Sequence, residues 1–285
     1  MTTIHNHKKW SDRTPTWCPG CGDWAIHTGL QRALAAQDLQ PSDLIAVFGV
    51  GCSGNMNDFL HAYAIHSLHG RSIPTAIGAK LANHDMPVIV IAGDGDTYGE
   101  GGNHLLHACR GNHDITLIIH DNSVYGLTTG QVAPTALHNA KGKSTPQGMI
   151  EQPISPLNLL ITQGATFVAQ SFAGNLDHVS LMIQQAMQHT GFSVVNILQP
   201  CVSFNRVNTY QYYLEKSYPL PEGYDPSDKK SAIAHAMAMD EEKYALGVVY
   251  NVEREAYHTA VAAHENPLVT YTKPTIIEPL LGEFT

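Results

Sequence analysis

Four short apolar runs, each stopped by a turn that carries a reactive or polar side chain, constrain this chain more than any other feature. Residues 44–48 run into Gly49-Val50-Gly51-Cys52, and 87–92 run into Gly93-Asp94-Gly95-Asp96. Residues 115–120 run into Asp121-Asn122, and 193–198 run into Gln199-Pro200-Cys201. Apolar runs of this length, bounded by turn residues, predict strands buried on both faces. Helical patterns alternate with them over 23–36, 73–83, 104–110 and 176–189. That alternation predicts an α/β fold: a doubly wound, mostly parallel sheet covered by helices on both sides. Ligands of such sheets bind outside the carboxyl ends of the strands. Cys52, Asp94, Asn122 and Cys201 are therefore expected along one edge.

Composition narrows the function classes. Charged residues make up 14 % of the 285-residue chain and hydrophobic ones 43 %, against roughly 25 % charged in an average soluble domain. So few charges predict a surface largely covered by a partner. The net charge is −9 and there is no Lys/Arg-rich run, so nucleic-acid binding has no electrostatic support. The longest apolar stretches fall far short of the roughly 20 residues that a bilayer-spanning helix needs. Residues 1–10 are polar, which predicts a cytoplasmic protein, and five cysteines in a reducing compartment argue against a disulfide framework. The 17 histidines are scattered and form no ligand pattern, so most are expected on the surface or satisfied in the core.

The chain divides by composition near residue 205. The first 205 residues hold nine basic and thirteen acidic side chains, whereas the last 80 hold seven and twelve, with no cysteine. Residues 1–205 are predicted to form the main domain, and 206–285 a C-terminal extension that contacts a partner. Residues 129–155, punctuated by Pro134, Pro146 and Pro153, predict a long irregular connection with a functional or partner-contacting role. A helix over 228–240 with an Ala/Met face predicts a packing surface.

The Gly93-Asp94-Gly95-Asp96 turn suits an anion bound with a cation. Glycines admit close backbone approach, and a helix N-terminus beyond them offers free N–H groups. Asp94 supplies a hard oxygen and Asn122 an amide oxygen, which together can hold a magnesium diphosphate. A plain strand-to-turn connection is the competing reading. A nicotinamide site is disfavoured, because Tyr98 stands where the last glycine of G-x-G-x-x-G belongs.

Cys18-Pro19-Gly20-Cys21 admits three readings: a redox dithiol, a zinc site or an iron–sulfur cluster. No strand pattern precedes Cys18, as a dithiol motif would have. One close pair joined by two distant single cysteines, Cys52 and Cys201, fits a cluster better than structural zinc. Cys109 falls within a helix and is expected as a packed core residue.

Taken together, these pieces resemble the β subunit of the 2-oxoacid:ferredoxin oxidoreductases, the subunit that binds thiamine diphosphate. The resemblance rests on Trp17-Cys18-Pro19-Gly20-Cys21-Gly22-Asp23, Gly49-Val50-Gly51-Cys52-Ser53-Gly54, His69-Gly70-Arg71, Gly93-Asp94-Gly95-Asp96, Asp121-Asn122 with Tyr125-Gly126-Leu127-Thr128, and Gln199-Pro200-Cys201. They occur in the family's order over about two-thirds of the chain. The resemblance implies a thiamine-diphosphate-binding fold with Cys18, Cys21, Cys52 and Cys201 as ligands of one [4Fe–4S] cluster. It implies Asp94, Asn122 and the backbone oxygen of Val124 as Mg²⁺ ligands. Val50, Gly51, Cys52, Ser53, His69, Gly95, Asp96, Gly126 and Leu127 match positions that line thiamine diphosphate.

The implied activity is oxidative decarboxylation of a 2-oxoacid with coenzyme A to acyl-CoA and CO2, reversible in principle. 2-Oxoglutarate is the best candidate substrate, and electrons would pass through the cluster to ferredoxin. The implied partner is an α subunit, in an (αβ)2 assembly, that supplies the activating glutamate, so no catalytic base is assigned in this chain. Ferredoxin is expected to approach near Cys18, where Lys8, Lys9 and Arg13 lie in sequence. Two positions depart from the family: Asn55 stands where members often place a basic or other substrate-selecting residue, and Thr129 where several carry Lys. Two other classes stand beside this reading: a non-redox thiamine-dependent decarboxylase or synthase with structural zinc, and a non-catalytic scaffold subunit.

Overall fold

A computed structural model of the chain describes residues 7–261 and 266–270. Among them, eight strands form one sheet. They are β1 (Ile45–Phe48), β2 (Tyr63–His66), β3 (Val88–Gly93), β4 (Thr116–Asp121), β7 (Phe167–Phe172), β8 (Ser193–Leu198), β9 (Ser217–Pro219) and β10 (Tyr244–Asn251), in the order β2-β1-β3-β4-β8-β7-β10-β9. A separate two-stranded hairpin joins β5 (Val124–Tyr125) to β6 (Gln131–Val132). Every pairing in the large sheet is parallel except β10 against β7.

Alternate side chains along each strand build two cores. Ala46, Phe48, Ile89 and Ile91 face α1 (Asp23–Ala36) and α5 (Leu176–Gln188). Val47, Val88 and Val90 face the other way, toward α2 (Ser72–Ala82), α3 (Gly102–Gly111), α4 (Pro156–Gln163) and α7 (Lys229–Met237). A short α6 (Tyr210–Lys216) leads directly into β9. A sheet covered on both faces needs apolar residues at every position, which is why its central strands read as unbroken apolar runs. The four predicted strands stand within one residue of their expected limits, and the helices over 23–36, 73–83 and 176–189 are likewise reproduced. After the Gly-Asp-Gly turn the chain first winds a π-helical turn, Gly95–Glu100, and only then enters α3.

Six strands had no counterpart in the sequence reading: β2, β7, β9 and β10 of the large sheet and the short β5–β6 hairpin. β2 is an edge strand exposed at all four positions. β7 is buried throughout but carries Gln170 and Ser171, whose polarity breaks the apolar run. β10 lies in the C-terminal extension and pairs with β7, so the extension adds strands to the main sheet. The helix expected over 228–240 ends at Met237 and continues as a 3-10 turn to Glu241. Its Ala232 and Ala236 are buried in the core shared with α4.

The topology opens one crevice. The chain leaves β1 outward to edge strand β2 and returns to β3 on the other side of β1. The loops after β1 and β3 therefore diverge, and the space between them is where such sheets take ligands.

Close helix packing gives a direct test of the architecture. A Cβ on Gly29 of α1 would fall 2.7 Å from Val179 Cγ1 of α5, whereas one on Gly78 of α2 would meet nothing within 4 Å. Gly29→Val is expected to lower unfolding stability by about 1–3 kcal/mol through overpacking. Gly78→Ala should raise it by up to about 1 kcal/mol through helix propensity. Urea unfolding followed by circular dichroism checks both.

Candidate active site and cysteine cluster

The loop after β1, the turn after β3 and the segment after β4 enclose a cavity of about 170 Å³. Val50, Gly51, Cys52, Ser53, His69, Gly95, Asp96, Gly126 and Leu127 all line it, together with Asp94, Asn122 and Val124. Twelve residues singled out in the sequence thus share one wall.

Asp96 organises that wall. Its carboxylate is buried and accepts from Val50 N–H (3.3 Å), Gly70 N–H (2.9 Å) and Ser72 Oγ (3.4 Å), with His69 Nδ1 at 2.6 Å. A carboxylate cannot donate, so Nδ1 carries the proton and Nε2 is the ring's remaining polar atom. Asp96 therefore holds the wall together from behind. A Cβ on Gly49 would lie 2.3 Å from its Oδ2, so this approach requires glycine. Gly95 is equally constrained, because a Cβ there would fall 2.2 Å from the Tyr125 ring.

Asp94 sits beneath the cavity with Asp121 beside it, both buried. Asp94 Oδ2 accepts from Ser123 N–H (2.9 Å) and Thr135 Oγ1 (2.5 Å). Burial, reinforced by the neighbouring Asp121 charge, pushes the Asp94 carboxyl well above the usual carboxylate range. Burial raises Asp121 as well. Asp121 Oδ1 is buried with no hydrogen-bond partner among the described residues. Two adjacent buried carboxyls with an orphaned oxygen, next to the Asn122 amide, form a donor set that fits a hard divalent cation. Asn122 is held by Gln199, whose Oε1 accepts from its Nδ2 at 2.7 Å, while its own Oδ1 accepts from Val124 N–H at 3.0 Å.

The sequence singled out neither Asp121 nor Thr135 as a site residue. The position of Asp121 directly before Asn122 at a strand end was an available signal. Thr135 had none, because its contact with Asp94 spans 41 residues from the irregular 129–155 segment.

The cysteines gather on the far side of Gly126. A Cβ there would lie 3.5 Å from Cys52 Sγ and 3.6 Å from Cys201 Sγ, so two thiols face one side-chain-free position. The Cys18–Cys21 turn is closed by Cys21 N–H donating to Cys18 O at 3.0 Å, with Gly20 at φ +80°. Pro followed by a left-handed glycine is the chemistry of a type II turn. That turn docks on the end of β8: Gly22 N–H donates to Pro200 O (3.2 Å), and Gln199 Nε2 donates to Cys21 Sγ (3.2 Å). Trp17 Nε1 fixes the Cys52 carbonyl at 2.7 Å. Burial, with Asp23, Cys201 and Cys18 nearby, pushes the Cys52 thiol up to about 12. Burial and Asp23 also raise Cys21.

No disulfide links these cysteines. Close-set thiols of which Cys21, Cys52 and Cys201 are largely taken from solvent fit a group that neutralises the charge of their thiolates. Among the described residues no three His, Cys, Asp or Glu side chains surround a single-ion position. The four thiolates of a [4Fe–4S] cube bind four separate irons. Cys109 is buried in the core, away from this group, as expected.

Other positions depart from expectation. His120 is buried, with Nδ1 2.5 Å from Asp23 Oδ1 and Nε2 unpartnered among the described residues, so it is neither a surface nor a fully satisfied histidine. Thr129 adopts φ +74° and accepts from Lys143 Nζ at 2.5 Å, so an ammonium stands at this position after all. Lys9 Nζ donates to Leu39 O at 2.6 Å, and the Lys8 side chain lies outside the described set.

Comparison with known proteins decides the family. Residues 49–197 match the model of the thiamine pyrophosphate enzyme C-terminal TPP binding domain, and 201–266 match that of the C-terminal region of the pyruvate ferredoxin oxidoreductase beta subunit. A 2-oxoacid:ferredoxin oxidoreductase β subunit of Aeropyrum pernix is 37 % identical, over 96 % of this chain and 88 % of that one. The chain belongs to the β subunits of the 2-oxoacid:ferredoxin oxidoreductases. It is accordingly an oxidoreductase subunit of the thiamine diphosphate class. The β subunit of 2-oxoglutarate synthase from Archaeoglobus fulgidus is 39 % identical, over 69 % of this chain and 74 % of that one. The solved 2-oxoglutarate:ferredoxin oxidoreductase from Magnetococcus marinus, with 2-oxoglutarate, coenzyme A and succinyl-CoA bound, superimposes with a TM-score of 0.90 at 34 % identity, over 100 % of this chain and 97 % of that one.

In this β subunit the cavity wall predicts unequal glycine tolerance. Gly95→Ala displaces the Tyr125 ring and should weaken thiamine diphosphate binding about tenfold or more. A Cβ on Gly93 meets Ser53 Oγ at an ordinary 3.5 Å, so Gly93→Ala should stay near wild type. Calorimetric titration of the assembled enzyme compares them.

Proposed function

We propose that this β subunit, with an α subunit, converts 2-oxoglutarate and coenzyme A to succinyl-CoA and CO2. Two electrons leave one at a time through one [4Fe–4S] cluster to ferredoxin, and the reaction is reversible in principle. The observation that carries the reading is the double position of Cys52. It lines the cofactor cavity, and its Sγ faces Cys201 across Gly126. The substrate assignment is supported by the ligands of the Magnetococcus marinus enzyme and by the Archaeoglobus fulgidus relative.

Bound thiamine diphosphate supplies an electron sink for loss of CO2 from a 2-oxoacid, and a bound cluster supplies a one-electron relay. Asp94, Asn122 and the Val124 carbonyl are proposed to hold Mg²⁺ against the diphosphate. Asp121 deepens the negative charge beneath that position. Asp96 fixes the Val50 and His69 loops, and His69 offers Nε2 to the cavity. Gly95 keeps the floor open for close approach. Cys18, Cys21, Cys52 and Cys201 are proposed as the cluster ligands.

Lys143, docked on Thr129 beside the cavity-lining Thr128, brings a cation to the rim for the distal carboxylate of a dicarboxylic 2-oxoacid. Residues 1–205 are proposed as the cofactor domain and 206–285 as the partner-contacting extension of an (αβ)2 enzyme. The exposed Tyr63, Ile65, Leu68 and Leu127 support a covering α subunit, which would also contribute the activating glutamate. Among the described residues no helix is long and apolar enough to cross a membrane, and a cytoplasmic location is proposed from the free cysteines.

Two variants of the assembled enzyme, prepared without oxygen, test the two cofactor sites. Asp94→Ala should keep the visible absorption and iron of the wild type but lose Mg²⁺-dependent thiamine diphosphate binding. Cys52→Ser should lose iron and slow ferredoxin reduction more than it weakens substrate binding. Colourless wild-type protein holding one zinc would overturn the cluster assignment. Separately, Lys143→Ala should raise KM for 2-oxoglutarate about tenfold, the size of one charge-assisted contact. KM for pyruvate should be unchanged, as steady-state kinetics with both acids would measure.

A further inference from the structure

Asp23 is the first residue of α1 and is fully buried two residues after Cys21. Its two oxygens have different neighbours. Oδ1 lies 2.5 Å from Nδ1 of His120, itself buried on the central strand β4. The carboxylate cannot donate, so the imidazole must, and His120 fixes the carboxylate's direction. Oδ2 is 3.3 Å from Cys21 Sγ, the same sulfur that accepts from Gln199 Nε2 at 3.2 Å. One cysteine sulfur is thus approached by an amide donor and by a carboxylate.

In the free thiol the Asp23 contact is a hydrogen bond that Cys21 donates. A ligating sulfur has no proton to give, so the same contact becomes an approach of two negative groups. Burying a carboxylate beside a thiolate is unfavourable in a low-dielectric interior unless something holds it there, and His120 does so. Reduction adds an electron to a cluster. A fixed negative charge beside one of its ligands disfavours the reduced form and lowers the potential, opposite to the effect of a hydrogen bond donated to the sulfur.

Resting on the cluster reading above, we propose that Asp23, oriented by His120, is a fixed negative charge that lowers the reduction potential of the cluster bound by Cys21. Asp23 is a positioning and tuning residue, since it touches a cluster ligand and not the substrate. The competing account is structural: an acidic residue in the first turn of a helix favours the helix dipole. That account predicts a stability change with no change in potential.

The test uses the assembled α–β enzyme prepared without oxygen, with iron and sulfide determined and the cluster titrated potentiometrically by electron paramagnetic resonance. Asp23→Asn keeps the shape and removes the charge. It should retain four irons per β subunit and raise the midpoint by at least a tenfold change in the one-electron equilibrium, about 59 mV. Asp23→Glu keeps the charge and should remain near the wild-type midpoint. If Asp23→Asn does not load iron, Asp23→Ser serves as the second neutral variant, with the same expected rise. An unchanged midpoint in an iron-replete neutral variant would overturn the proposal, as would loss of iron from both neutral variants. Wild-type enzyme without iron or a cluster signal would instead overturn the underlying cluster assignment.

Discussion

The Asp96 carboxylate ties together the loops from which the cofactor cavity is made. It stands one turn beyond β3 and draws in backbone N–H groups from the loop after β1 and from the His69-Gly70 segment after β2. These loops diverge because the chain crosses over β1, and divergence alone would leave a crevice with mobile walls. A buried anion accepting several N–H donors fixes them at once, since each donor left unmatched would carry its own desolvation cost. The glycines around it follow from this constraint. Gly49 lets the carboxylate approach the backbone, and Gly95 lets the Tyr125 ring close over the turn.

A second docking joins the start of α1 to the end of β8. α1 covers one face of the sheet, and its N-terminus rests against Gln199 and Pro200 at the end of β8. A Cβ on Gly22 would lie 2.7 Å from Gln199 Cγ, so glycine is the condition for that contact. Gln199 then serves both sites, accepting from the Asn122 amide and donating to the Cys21 sulfur. The Asn122 amide and the cysteine group are therefore positioned by one side chain. A shift in either alters the hydrogen bonding of the other.

The site was legible in the sequence wherever strand ends carried it. Cys52, Asp94, Asn122 and Cys201 could be placed on one edge because buried parallel strands leave unbroken apolar runs, and glycine or amide residues mark where the runs stop. What the sequence did not reveal depends on contacts between distant segments. Thr135 reaches Asp94 from an irregular connection whose course no periodicity specifies. His120 reads as one more strand residue until β4 and α1 are packed and its ring meets Asp23. β2 escaped notice because an edge strand exposed at every position has no buried face to leave a pattern. β7 escaped because Gln170 and Ser171 are satisfied by Ala245 O and by His178 rather than by water.

Under the proposed cluster assignment, the place of Cys52 between the cavity and the other thiols has a physical consequence for electron flow. The residue belongs at once to the cavity wall and to the thiols around Gly126. Its carbonyl is pinned by Trp17, whose ring packs edge-on against Trp24, Phe59 and His27. As a proposed cluster ligand on so restrained a loop, Cys52 would change position little when charge moves. Electron transfer between neighbouring centres is favoured when few groups must rearrange, and a tightly packed apolar and aromatic surround limits solvent reorganisation as well. The low charge content of the chain acts in the same direction, because an α subunit seated over the exposed apolar rim would remove the water nearest the cavity. Fixed polar groups such as Asp96, Gln199 and Asp23 would then carry more electrostatic weight than the same groups facing solvent.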